Sequence, residues 1–224
     1  MRVGRAIALG LARAGMDVVI SYHRSATLAA RTVRDLKKHG VQAVAFAADL
    51  ARPAAARALV RRAARALGGL DVLVNSAAVF ERTPLADATP EQYDRLLNVN
   101  LRSVFFCTQA AATIMDPGSH VVNIGDVGAL RAWPGYIPYT VSKAGVHALT
   151  RGLAAALRPR GIAVNCVAPG AVLRPVHFSP ARWRVVTRGH EGRPEDVVDA
   201  VLYFARCSPF VTGQVLRVDG GETA

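Results

Sequence analysis

The sequence predicts a doubly wound, Rossmann-like α/β fold: a mostly parallel sheet with helices on both faces. Three observations carry this. Short apolar, strand-length runs alternate with helix-period segments, Gly or Pro bounds many of the helical segments, and no repeat, linker or low-complexity tract interrupts the alternation. Parallel strands need crossovers, and helices placed between buried strands cover the sheet on both sides.

In order, the chain opens in a helical pattern, then residues 17–22 read as a strand and 26–39 as a helix ended by Gly40. Residues 41–47 give a second strand, and 53–67 a helix that begins on Pro53 and stops at Gly68-Gly69. A third strand spans 71–75, followed by one long helix over 90–114 with Pro90 at its start. Residues 120–125 form a fourth strand and 139–157 the next helix. A fifth strand at 162–167 leads to a loop over 171–192, a helix over 194–207 and a last strand at 214–218.

Size and charge narrow the function. A chain of 224 residues suffices for one α/β domain, 1–224, with little room for a second. The net charge of +12 invites a nucleic-acid role. Of the 28 basic residues only Lys37, Lys38 and Lys143 are lysines, and the arginines are scattered, as at Arg57, Arg61, Arg62 and Arg65. No nucleic-acid motif or aromatic-studded basic strip accompanies them, so no nucleic-acid partner is predicted. No apolar run could span a bilayer, and the start is unlike a signal peptide, which predicts a cytoplasmic protein without a membrane partner. Cys107, Cys166 and Cys207 lack metal-type spacing and read as reduced, buried thiols.

The chemistry concentrates at Asp126, Tyr139 thirteen residues later, and Lys143 four beyond that. Tyr and Lys at i and i+4 share a helix face, so an ammonium beside the phenol should draw its pKa down from about 10. A carboxylate at Asp126 would by itself raise it and oppose Lys143. A bare pair of this kind is ordinary on a helix surface; the surrounding string decides. Gly125-Asp126-Val127 and Gly135-Tyr136-Ile137-Pro138-Tyr139-Thr140-Val141-Ser142-Lys143 resemble the active site of the short-chain dehydrogenase/reductase family. Most members carry Ser thirteen residues before the Tyr; Asp there resembles the pteridine reductase branch. The likeness runs from Arg2 to Gly221.

The resemblance implies an NADPH-dependent reductase acting on a pterin-like small molecule, and a homotetramer associating through the helices at 90–114 and 139–157. Catalysis would fall to Asp126, Tyr139, Lys143 and Asn100, with Asn100 holding a water linked to Lys143. Lys143 would also grip the nicotinamide ribose. Phe80 and Tyr136 would line the substrate pocket beside Asp126 and Tyr139, Phe80 stacking a flat ring against the nicotinamide. Cofactor contacts would come from Gly4, Asp49, Leu50, Asn75, Ser76, Ala77, Pro169 and Gly170. After the first visible strand, Tyr22, His23, Arg24 and Ser25 offer donors and no acid, which favours a 2′-phosphate, with Arg2 as a second guanidinium. The bland alternative makes Ser25 a helix cap. Arg174, His177, Phe178 and Trp183 are candidates to face substrate. A carbonyl or 3-oxoacyl reductase, or a non-catalytic family member, stays open.

One element is missing. Arg2-Val3-Gly4-Arg5 resembles the end of a Gly-rich turn, and the strand expected ahead of it is absent from this chain. About five buried apolar side chains at ~1.5–3 kcal/mol each make that strand worth roughly 10 kcal/mol, comparable to a whole domain's stability. A start assigned at an internal Met is the expectation.

Overall fold

Short apolar strands and the apolar faces of the helices assemble into three layers. The computed structural model describes residues 3–175 and 178–224. In chain order the elements are α1 (Val3–Arg13), β1 (Val18–Tyr22), α2 (Ala26–Lys37), β2 (Ala43–Ala47), α3 (Pro53–Leu67) and β3 (Val72–Asn75). There follow α4 (Pro90–Leu97), α5 (Ser103–Ala112), β4 (His120–Ile124), α6 (Ile137–Leu157) and β5 (Ala163–Pro169). The chain closes with α7 (Pro180–Thr187), α8 (Pro194–Phe204) and β6 (Val215–Val218).

Every strand pair is parallel, with Val18 opposite Ala43, Val72 opposite His120, His120 opposite Ala163 and Cys166 opposite Val215. Side chains alternate across β4. Val122 and Ile124 pack with Ile7, Leu11, Val197 and Val201 of α1 and α8, whereas Val121 faces Val60, Ala111 and Leu157 of α3, α5 and α6. Helices thus cover both faces, as the sequence predicts. The sheet itself is in two parts, β1-β2 and β3-β4-β5-β6. Among the described residues no strand bonds β1 to β3, and the break falls where a strand ahead of α1 is expected.

Several boundaries need correction. The helix expected over 90–114 is interrupted by a π-type turn at Asn98–Arg102, where Ser103 Oγ donates to the Val99 carbonyl at 2.6 Å. The segment 171–192, expected as a loop, contains α7, whose first turn is capped by the Ser179 hydroxyl accepting from Arg182 N–H at 3.1 Å. The helix expected over 194–207 ends at Phe204. Cys107 and Cys166 are buried, but Cys207 is only partly so.

Candidate active site

β4 ends at Ile124 and the chain must turn sharply beneath α6. Gly125 permits this: a Cβ there would stand 2.6 Å from His147 Nε2 and 2.8 Å from Cys166 Sγ, too close for any side chain. Asp126 follows in extended conformation, and its carboxylate caps the short 3₁₀ turn Val127–Leu130, with Gly128 N–H donating to Oδ1 at 2.6 Å. The other oxygen, Oδ2, accepts from Tyr139 O–H at 2.6 Å.

Tyr139 and Lys143 are held by α6, which starts at Ile137 with Pro138 in its first turn. One turn separates them, as their spacing predicts, and both are buried. Lys143 Nζ donates to the Ile124 carbonyl at 2.8 Å and lies 5.9 Å from the centre of the Tyr139 ring. His147, a further turn along, is buried with no partner for its Nε2.

The electrostatics correct one expectation. Burial, followed by the Asp126 charge and its hydrogen bond, pushes the Tyr139 phenol well above its ordinary value. Lys143 does not reverse this. Its own pKa is lowered by burial, partly offset by Asp126 and Cys166. Asp126 is itself raised by burial, against the Tyr139 hydrogen bond, the Lys143 charge and Gly128 N–H. Carboxyl and phenol thus form a coupled pair in which each group binds its proton more tightly than it would in water.

Aromatic rings wall the cleft next to this pair. Phe80 stacks on Tyr136 with centroids 4.7 Å apart and parallel planes, and meets Tyr139 edge-on at 4.8 Å. Trp133, which the sequence reading passed over, lies parallel to Tyr139 at 6.3 Å and edge-on to Tyr136. Its signal was an aromatic residue followed by Pro134-Gly135, inside the same string as Asp126 and Tyr139. Arg131, also passed over, donates to both the carboxylate and the backbone carbonyl of Glu222, tying the last turn of the chain to the Asp126 loop.

Asn100 sits inside the π-type turn, almost wholly buried. Its side chain is committed: Oδ1 accepts from Val79 N–H at 2.8 Å, and Nδ2 donates to the Val79 carbonyl at 3.0 Å and to Ser142 Oγ at 3.1 Å. It fixes the segment that leads to Phe80. No hydrogen bond joins that amide to Lys143 in the structure.

The remaining predicted residues line one opening of about 1940 Å³ that runs along the break between β1 and β3 and past the carboxyl ends of the strands. It gathers Gly4, Tyr22, His23, Arg24 and Ser25 at one end, Asp49, Leu50, Asn75, Ser76 and Ala77 along it, and Lys143, Pro169 and Gly170 beside the Asp126–Tyr139 pair. Asn75 Nδ2 donates to Asn123 Oδ1 at 2.9 Å and to Thr108 Oγ1, tying β3 to β4. Ser25 occupies the N-cap of α2, but its hydroxyl makes no capping bond. Asp49 accepts from Ala51 N–H at 3.1 Å in a local turn. A dinucleotide fits this chemistry: small residues at Gly4, Ser76 and Ala77, where a Cβ on Gly4 would stand 3.2 Å from Ser76 Oγ, and donors at the far end. Arg2 and His177 lie outside the described residues. Phe178 is buried under the Arg182 guanidinium, 4.0 Å from the ring centre, and Trp183 donates to Glu191.

A doubly wound sheet whose cleft brings small residues and polar donors beside a buried tyrosine and lysine has the make-up of a nucleotide-dependent oxidoreductase. Comparison with known proteins is more specific. The family described as enoyl-(acyl carrier protein) reductase matches residues 2–223. A 3beta-hydroxysteroid dehydrogenase of Eggerthella lenta is 35% identical over 99% of this chain and 89% of its own length. A 3-oxoacyl-[acyl-carrier-protein] reductase of Synechocystis is 32% identical over 98% and 92%. A short-chain dehydrogenase of Burkholderia cenocepacia, solved in complex with NADP, superposes with a TM-score of 0.93 at 37% identity, covering 100% of this chain and 94% of that one. The chain belongs to the short-chain dehydrogenase/reductase family and is an NAD(P)-dependent oxidoreductase. Among the described residues no helix is long and apolar enough to cross a membrane.

Proposed function

We propose that the protein is an NADPH-dependent reductase of pteridine reductase type, acting on a dihydropteridine or related flat, nitrogen-rich ring. The observation that carries this reading is the Asp126 carboxyl accepting from Tyr139 O–H at 2.6 Å beside an aromatic wall. A ketone needs only a neutral donor at that point. A ring bearing N–H groups and basic nitrogens is matched by a carboxyl that can accept from the one and protonate the other.

When bound, reduced nicotinamide supplies the hydride. Tyr139 and Asp126 hold the proton that must reach the ring nitrogen, joined by the 2.6 Å hydrogen bond between them. Lys143, anchored on the Ile124 carbonyl, stands near the pair and offers a donor toward the ribose. Asn100 positions Phe80 through the Val79 backbone, and Phe80, Tyr136 and Trp133 orient the ring. His23, Arg24 and the uncapped Ser25 favour a 2′-phosphate, hence NADPH. The same reading makes the protein a cytoplasmic homotetramer of single-domain chains, with α5 and α6 at a subunit contact. Phe105 and Val141 stand exposed on those helices.

A second reading has its own support. The similar proteins named above act, by their names, on 3-oxoacyl and hydroxysteroid substrates, so a carbonyl reductase fits the fold equally. NADPH oxidation by the protein with 7,8-dihydropteridine, quinonoid dihydropteridine and a 3-oxoacyl thioester separates the two. Turnover of a dihydropteridine, lost by about 10²-fold or more in Asp126→Ser, is the expected outcome. Thioester reduction without pteridine reduction would transfer the assignment to the second reading.

A further inference from the structure

An ion pair at the edge of the cleft takes no part in the chemistry proposed above. Arg131 follows the short 3₁₀ turn that Asp126 caps, in extended conformation, and its guanidinium reaches the turn after β6. One N–H group donates to Glu222 Oε1 at 2.6 Å and another to the Glu222 backbone carbonyl. The other carboxylate oxygen, Oε2, lies against Gly170, where a Cβ would stand 3.2 Å from it. Both partners line the cleft, between the loop that carries Asp126 and the turn at Pro169-Gly170.

This pairing is a poor match for a guanidinium. Arginine holds a carboxylate or phosphate best through two parallel N–H bonds to two oxygens of one group. Here the second N–H group goes to a peptide carbonyl, and Arg131 leaves Oε2 unused. The two side chains are 40% and 31% exposed, and pairs so open to water are weakly held. An incoming anion can therefore replace Glu222 and gain the two-oxygen geometry that Glu222 lacks.

The surroundings favour such a ligand. Arg182 of α7 lines the same cleft with its guanidinium over the Phe178 ring, and among the described residues no carboxylate pairs with it. A net charge of +12 raises the local concentration of anions at such an opening.

We propose that Arg131 is a specificity-determining residue: it receives a carboxylate or phosphate group of the substrate, which displaces Glu222. Glu222 keeps the guanidinium in place until then and competes with the ligand. This adds a feature to the substrate reading above and holds for a pteridine or a 3-oxoacyl compound alike.

Calorimetric titration in the presence of NADP+ tests it with pterin-6-carboxylate and 6-hydroxymethylpterin, which differ in charge at one substituent. The quantity read is the ratio of the two affinities, charged over neutral, so a general shift of the loop cancels. Arg131→Gln should lower that ratio by about tenfold, and Glu222→Gln should raise it by about threefold. Both substitutions break the link, so a purely structural role predicts changes of the same sign. Acetoacetyl-CoA against ethyl acetoacetate forms a second pair. The opposite-sign pattern in that pair alone would uphold the role of Arg131 and remove the pteridine reading. Same-sign shifts, ratios that do not move, or no binding of either charged probe would overturn the assignment. So would an equal rise from Asp116→Asn, an exposed position ahead of β4, which would make net charge the cause.

Discussion

The two parts of the sheet differ in how completely each specifies its neighbours. Around β4 and β5 every strand residue is buried, each strand is bonded on both sides, and the Asp126–Tyr139–Lys143 group is fixed by hydrogen bonds of 2.6–2.8 Å. Around β1 and β2 the same kind of apolar sequence is half-exposed, and Tyr22, His23, Arg24 and Ser25 at that end of the cleft follow an edge strand. Catalytic geometry can therefore be intact while nucleotide affinity depends on what lies beside β1. Chemistry and binding should separate experimentally.

The largest expected effect tests that separation. Tyr139→Phe should lower NADPH-dependent turnover by about 10²–10⁴-fold, while fluorescence titration with NADPH changes little. An equal loss of cofactor binding would mean that the two regions are not separable.

Packing gives the next effect. Gly125→Ala drives a methyl into His147 and Cys166 and should cost about 1–3 kcal/mol, seen as a lower urea midpoint. Gly4→Ala meets only Ser76 Oγ at 3.2 Å and gains helix propensity, so stability should hold within about 1 kcal/mol while NADPH affinity falls. Equal destabilisation by both would erase the contrast.

The smallest effect is a pH dependence at His147. Burial, with Lys143 and Arg151, lowers its pKa from 6.5 to about 4. The folded form is then neutral at pH values where the unfolded form binds a proton. Its contribution is complete above pH 6.5 and is lost as pH falls toward 4. Thermal unfolding of His147→Gln between pH 7 and 4 should fall less steeply than that of the parent; an unchanged slope would exclude this histidine.

Legibility in the sequence followed locality. The bounds of α3 were readable because Pro53 opens it and Gly68 closes it in the left-handed region, and both signals are local. The site strings were readable because the Tyr–Lys spacing and the turn at Gly125-Asp126 lie within one short stretch. The π-type turn was not, since it is one wide turn inside a continuous helical stretch and carries no Gly or Pro to mark it. α7 was hidden because its exposed face carries Val185 and Val186, which blurs the helical stripe. The Asp126 share of the raised Tyr139 pKa was legible from the spacing, but its largest cause was not: burial is set by elements distant in sequence.

The link between Arg131 and Glu222 has a practical corollary. Glu222 stands two positions before Ala224, and its carboxylate and carbonyl both brace the loop that carries the acidic group. Loosening that brace, as in Arg131→Ala, would let the acidic group shift, and a rate measured with such a variant would understate the enzyme.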